Sequence, residues 1–275
     1  MIAAFIQRAV VQGIPLLFGS TGEIITEKSG NLKLGIPGIM YVGGISGVIG
    51  AFMYERTLTD TSAINPFFAV LIPLLSCLLG SLCMGLIYSI LTVTLRANQN
   101  VTGLALTTFG TGFGNFFGGS LIKLVKSDMP SISLTATSNC FRKTLPFAGE
   151  LGPVGQVLFS SSFLAYMAII LALITSYVLG RTRVGLHLRA VGENPAAADA
   201  AGVNVSAYKY VHIRLGGGIC GLGGAYIALV TCGGNWTYNC VGGLGWIAVA
   251  LVIFAAWSPY KALLGSLVFG ALSVL

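Results

Sequence analysis

An all-α, polytopic transmembrane bundle of about eight helices is the fold this sequence predicts, and three observations carry that expectation. The chain has 15 Lys or Arg and 8 Asp or Glu among 275 residues, 8% charged and 55% apolar, where a soluble domain is roughly 25% charged. So few polar side chains cannot cover a water-facing surface. Five stretches, 34–54, 61–95, 97–122, 151–180 and 215–260, carry no charge at all. Each reaches the roughly 20 residues that take a helix across a hydrocarbon core about 30 Å thick. No run alternates apolar and polar residues with period two, as the strands of a membrane barrel must. Together these exclude a cytosolic enzyme, a nucleic-acid binder and a secreted domain.

The first span is the apolar run 9–22, extended back past Arg8 to Met1. Pro15 interrupts it, and no small-residue cleavage site leads into a soluble domain, so it stays a span rather than a secretion signal. Residues 34–54 make the second, with a helix break expected where Gly and Pro crowd together at 35–38. Within the later stretches, 74–91 and 162–179 are apolar all round, as lipid-embedded helices are. The 46 residues of 215–260 must hold two spans, and Pro259 to Leu275 adds one more. The 38 glycines suit a bundle whose helix backbones approach closely. Gly110, Gly114 and Gly118 form a ridge, with Gly43/Gly47 and Gly217/Gly221 as further pairs, and these read first as packing surfaces. Gly216, Gly218 and Gly221 match a dinucleotide fingerprint formally, but no strand precedes them.

Cys77, Cys83 and Cys220 lie in spans, where Cys is a small hydrophobe. Cys140, Cys232 and Cys240 lie in loops without metal-site spacing. A Cys232–Cys240 disulfide stays open if that loop faces an oxidising side. Nothing in the chain reads as a catalytic or metal-ligating set.

Between Arg181 and Arg214, five positives (Arg181, Arg183, Arg189, Lys209, Arg214) stand against Glu193 and Asp199, the strongest cytoplasmic signature in the chain. Alternation then puts 123–150 outside, 96–100 inside and 55–60 outside. The N-terminus falls outside if two spans fill residues 1–54, which sits badly with Arg8 unless an extra crossing or a broken helix lies there. Inside the basic segment, Asn194 is an N-cap, Pro195 suits the first helical position, and Gly202 closes a two-turn helix. This helix is too short to span and too polar for lipid, so it lies at the cytoplasmic face. It is either a loop helix packed on the bundle or a docking helix for a partner.

The run R-T-R-V-G-L-H-L-R-A-V-G-E-N-P-A-A-A-D-A-A-G-V-N-V at 181–205 resembles the cytoplasmic coupling segment of bacterial ABC importer permeases. Also similar are E-K-S-G-N-L-K-L-G-I-P-G-I-M at 27–40, N-Q-N-V-T-G-L-A-L at 98–106 and G-W-I-A-V-A-L-V-I-F at 245–254. The family is the simple-sugar and branched-chain type, which moves ribose-like sugars and nucleosides, and the wording around Glu193 resembles its nucleoside-like branch. Two departures stand out. The position before Gly38 is often Glu in relatives and is Pro37 here, so no carboxylate role carries over. Relatives also usually continue past Leu275, so one or two C-terminal spans of the family are expected to be absent.

The resemblance implies a single permease domain over 1–275, with 181–214 as coupling segment, in the bacterial plasma (inner) membrane. Arg189, Glu193, Asn194, Pro195, Asp199 and Gly202 are its expected contact with a separate ABC ATPase. The chain has no phosphate-binding G-x-x-x-x-G-K-[ST] loop, so it is not expected to be an enzyme or to bind a cofactor, and ATP and Mg belong on that partner. A second permease subunit, an extracytoplasmic solute-binding protein or lipoprotein and the lipid bilayer are the other expected partners, and no nucleic acid is. Residues Asn100–Leu104 echo Asn239–Leu244 at the starts of two long helices with opposite orientation, the arrangement of an inverted repeat with its substrate path at the interface. No Asp, Glu, Lys or Arg falls in the middle of an assigned span, which favours a neutral polar solute over an ion-coupled carrier. Thr107, Thr108 and Asn115 on one helix are the path candidates, against the plainer reading of interhelical hydrogen bonds. Trp236 and Tyr238 read as interfacial anchors or contacts of a delivery protein. A stand-alone secondary transporter or channel for a neutral solute is the alternative function.

Overall fold

The structure, a computed structural model, describes residues 2–32, 34–58, 64–125, 132–143 and 161–275. Among these residues the helices are α1 (Ile2–Lys28), α2 (Ile36–Thr57), α3 (Pro66–Ser89), α4 (Gln99–Val125), α5 (Thr135–Arg142), α6 (Phe163–Arg181), α7 (Arg183–Glu193), α8 (Pro195–Ala200), α9 (Val205–Tyr226), α10 (Leu244–Phe254) and α11 (Pro259–Leu272). Helices α3 and α9 each run on into one π-type turn, Ile90–Thr94 and Ile227–Thr231. The β structure among the described residues is one antiparallel pair, β1 (Ile132–Ser133) and β2 (Asn235–Trp236), with Ile132 opposite Trp236.

Five helices are long and apolar enough to cross a membrane: α1, α2, α3, α6 and α9. Helix α4, at 27 residues, has the length, about 40 Å, but its Thr, Asn and Gly content makes it less apolar. Helices α10 and α11 have 11 and 14 residues, so each falls short of a roughly 30 Å hydrocarbon core. The all-α membrane bundle expected from the sequence is what the chain forms.

Its centre is α1, α2 and α9, which meet backbone to backbone through glycine. Gly22 lies against Gly216, Gly43 against Gly221, and Gly224 against the Met40 carbonyl, so a Cβ at any of them would collide with a neighbour. The Gly110, Gly114 and Gly118 ridge of α4 packs against Gly38, Tyr41 and Trp236 in turn. The glycines of the dinucleotide-like run face Gly22, Leu82 and Ser81, and are packing residues.

One end of the bundle gathers the C-terminus of α1, helices α7 and α8, and the start of α9. Gly185 of α7 rests on Val178 and Leu179 of α6, and Gly192 rests on Lys28 and Gly30. This is the Arg-rich end. At the opposite end, α5 closes over the end of α9: Ser138 Oγ donates to Leu229 O at 2.8 Å, and Arg142 Nε donates to Val230 O at 2.8 Å. The guanidinium thereby satisfies carbonyls that a helix end leaves without partners.

Two expectations need correction. Residues 35–38 break no span; Gly35 and Pro37 start α2, and α1 has already ended at Lys28. No extra crossing lies in 1–54 among the described residues, so the start of α1 is at the end away from the Arg-rich helices. The segment 215–260 does not hold two full helices either. After α9 and its π turn the chain dips back into the bundle without helix through residue 243, as turns and the short strand β2, then finishes the crossing as α10. Helix α10 runs toward the Arg-rich end, placing Gly245 on Pro37, Ala248 on Gly19 and Trp257 on Glu27. It stops early because Ala256 and Trp257 turn the chain with φ of 48° and 54° before Pro259 opens α11. The echoed segments do start α4 and α10, and these helices run in opposite directions, but the second helix is short.

Candidate functional site

The Arg-rich end carries a pair of short helices outside the bundle. Thr182 caps α7, its Oγ1 accepting from Gly185 N at 3.2 Å, and Leu188 and Val191 are buried beneath it. Helix α8 follows immediately. Asn194 Oδ1 accepts from Ala197 N at 3.1 Å. At the other end, Gly202 N donates to Asp199 O at 2.9 Å and Val203 N to Ala198 O at 3.0 Å, with Gly202 at φ +81°. That is a Schellman closure, and the left-handed φ suits glycine. Both ends of α8 are therefore set by its own sequence. Its only buried residue is Ala198; Glu193, Asn194, Pro195, Asp199 and Gly202 are exposed, and Arg189 is half-buried. Asp199 and Gly202 also line a polar cleft of about 360 Å³ with Val203, Asn204, Val205 and Ser206.

Sequence reading missed α7, whose boundary with α6 is a single Thr, and it took 205–214 as loop. Those residues are the first turns of α9, because Asn204 Oδ1 accepts from Ala207 N at 2.9 Å and restarts the helix. His187 of α7 and Tyr208 of α9 meet at 3.0 Å between Nδ1 and the hydroxyl. His212 Nδ1 donates to Tyr208 O at 2.7 Å. The short helices are thus tied to α9, which runs through the centre of the bundle.

The second polar locus lies where the dipping coil meets α2 and α4. Tyr41 OH donates to Asn239 Oδ1, Gly242 N donates to Tyr41 OH at 3.2 Å, and Asn239 N donates to Asn115 Oδ1 at 3.2 Å. Trp236, only 1% exposed, is wedged between Gly44 and Gly118, edge-on to Tyr41 with ring centroids 6.3 Å apart. Its buried position corrects the expectation of an interfacial anchor; Tyr238, two residues on, is 82% exposed.

The three path candidates part company. Thr107 Oγ1 donates to Leu34 O at 2.9 Å and is buried in the contact between α4 and Leu34. Thr108 Oγ1 donates to Leu104 O of its own helix on an exposed face. Asn115 is the one that the fold joins to the coil. Tyr41, Asn239 and Gly242 went unread, although the Asn239 echo marked their segment.

Helix α1 extends beyond the expected run 9–22, and the ionisable groups it adds lie in its last turns, at the Arg-rich end, rather than in the middle of the span. The helix runs past Gly22 to Lys28, because residues 23–28 carry no stop signal and the turn comes at Ser29–Gly30. Glu23 is 0% exposed, Glu27 follows one turn later on the same helix, and Trp257 Nε1–H donates to Glu27 Oε2.

The family model for the permease component of branched-chain amino acid transport systems matches residues 5–275. The chain belongs to this family. Three relatives place the permease more closely. A nucleoside ABC transporter permease of Lactococcus lactis is 33% identical over 95% of this chain and 78% of its own length. A guanosine ABC transporter permease of Bacillus subtilis is 29% identical over 98% of this chain and 81% of its own. A putative glucose ABC transporter permease of Haloferax volcanii is 31% identical over all of this chain and 76% of its own. The protein is a multi-pass membrane permease subunit of an ABC transporter, a class that works with ATPase and substrate-binding partners.

Proposed function

We propose that this permease imports a nucleoside or a related small polar solute such as a sugar, by alternating access driven by a separate ATPase that binds ATP and Mg. The observation that carries the reading is α8: a helix capped at both ends by its own sequence, anchored through Ala198 alone and otherwise exposed beside α7. An isolated helix this short is marginal in water, and a partner seated on it supplies what holds it. Arg189, Glu193, Asn194, Pro195, Asp199 and Gly202 form that contact. The excess of positive charge at this end places it in the cytoplasm. The nucleoside assignment draws on the relatives' solutes.

The solute passes along the outward face of α4, where Thr108 and Asn115 are polar and Gly112 and Gly119 face open space. Thr107 serves packing. A second permease subunit, identical or homologous, closes this path, and an extracytoplasmic solute-binding protein loads it from the end that carries α5.

The test is reconstitution of the full permease with its ATPase in vesicles. Nucleoside-stimulated ATP hydrolysis is expected, and Glu193→Lys or Asp199→Lys is expected to lower both ATPase association and coupling at least tenfold, about 1.4 kcal/mol of contact energy. Unchanged association and coupling in both variants would overturn the docking assignment.

A further inference from the structure

At the end of the bundle away from α7 and α8, two thiols that the transport reading leaves unused meet each other. Cys232 follows the π turn of α9, and Cys240 follows Asn239 in the dipping coil. Cys240 Sγ donates to Cys232 Sγ across 3.3 Å, and both residues are half-buried. The other four cysteines are scattered: Cys77 and Cys220 are buried in α3 and α9, Cys83 is exposed on α3, and Cys140 is on α5. The backbone between the pair is built to bring its ends together. Gly233 and Gly234 have φ of +66° and +78°, Asn235 N donates to Cys232 O and Cys240 N donates to Thr237 O, both at 3.2 Å.

A third group bears on the pair. Arg142, held by its bonds to Val230 and Thr231, has its guanidinium against Gly233, next to Cys232. The Cys240 thiol proton and this positive charge bring the Cys232 thiol down to about 7, against the burial that raises it. One thiol is thus ready as a nucleophile near neutral pH and its neighbour keeps its proton.

We propose that Cys232 and Cys240 are a reversible dithiol–disulfide site that exchanges with small soluble disulfides on the extracytoplasmic side. The Cys232 thiolate attacks one sulfur of the external disulfide, forming a mixed disulfide and releasing one thiolate, which takes up a proton. Cys240 then loses its proton and attacks Cys232 Sγ, releasing the second half as a thiol. The protein loses two electrons and two protons, and the external disulfide becomes two thiols. Closing the bond draws the sulfurs from 3.3 Å to about 2.0 Å and pins the coil that carries Trp236 and Asn239. The pairing stands on geometry alone; its effect on transport rests on the proposed function.

The experiment exposes the full chain in lipid nanodiscs to oxidised glutathione, then counts free thiols by intact mass after denaturing alkylation. Wild type is expected to lose two of its six thiols without gaining glutathione. Cys240→Ser is expected to trap glutathione on Cys232, and Cys232→Ser to leave Cys240 free. Six retained thiols, or a bond mapped to Cys140, would overturn the site. Alkylation of Cys232 should rise with pH through about 7, and Arg142→Gln should move that rise to higher pH. In vesicles with the ATPase, oxidation should slow solute-stimulated hydrolysis of wild type and spare Cys232→Ser, with recovery in reductant. Equal rates despite a mapped bond would overturn the link to transport, and absence of any stimulation in reduced wild type would count against the proposed function instead.

Discussion

Helices α1 and α9 on one side, and α3 and α6 on the other, are all long apolar crossings, yet their surroundings are opposite. In α1 and α9, 83% of the most apolar window is buried in the bundle; in α3 and α6 the figure is 28%. The more exposed pair is also the more apolar, the reverse of a water-soluble protein. Lipid is as apolar as Leu, so burying Leu gains little there. The centre instead goes to helices whose backbones can touch. Helix α9 has Gly216, Gly217, Gly218, Gly221, Gly223 and Gly224, whereas α6 has Gly180 alone. Polar groups follow the same logic, and Glu23, Tyr41 and Thr107 sit inside because other polar groups meet them there.

The largest test of this contrast is Gly224→Leu in α9. A side chain there meets Met40 O and Gly44 N, so the variant is expected to lose more than about 4 kcal/mol and to give no monodisperse protein in mild detergent. Recovery of wild-type stability would break the claim that α2 and α9 are held by backbone contact. A smaller effect is expected at the coil. Tyr41→Phe and Asn239→Ala should each cost about 1 kcal/mol, and the double variant should cost clearly less than their sum, as read by thermal unfolding in detergent. Strict additivity would mean that the two side chains do not share a bond. Smallest of all is Leu79→Ala, at a side chain 65% exposed on α3. It should change stability by less than about 0.5 kcal/mol, where a buried Leu→Ala costs roughly 2–5. A large loss would show that this face is covered by something other than lipid.

Much of the coupling segment was legible because its signals are local. Asn194, Pro195 and Gly202 each act on backbone groups within a few residues, so the start and stop of α8 follow from their order. The end of α1 was legible too, at Ser29–Gly30, whereas Gly22 resembles a helix terminus in sequence but is a packing glycine that faces Gly216. The site on the dipping coil was not legible. Asn239 and Tyr41 are 198 residues apart, and no local pattern says that they bond. Thr107 and Thr108 look alike in sequence, but only the fold turns one hydroxyl to Leu34 and leaves the other on an exposed face.

By itself the sequence determined that the chain lives in a membrane, which end is basic and where the short capped helix lies, since charge, apolarity and caps act through solvent or near neighbours. Only the tertiary structure decided which apolar helices sit at the centre, that one crossing is half coil, that Glu23 is enclosed, and that Cys232 and Cys240 come together. Those outcomes depend on backbones meeting across hundreds of residues, and in lipid that choice is made by shape and by polar partners rather than by hydrophobicity.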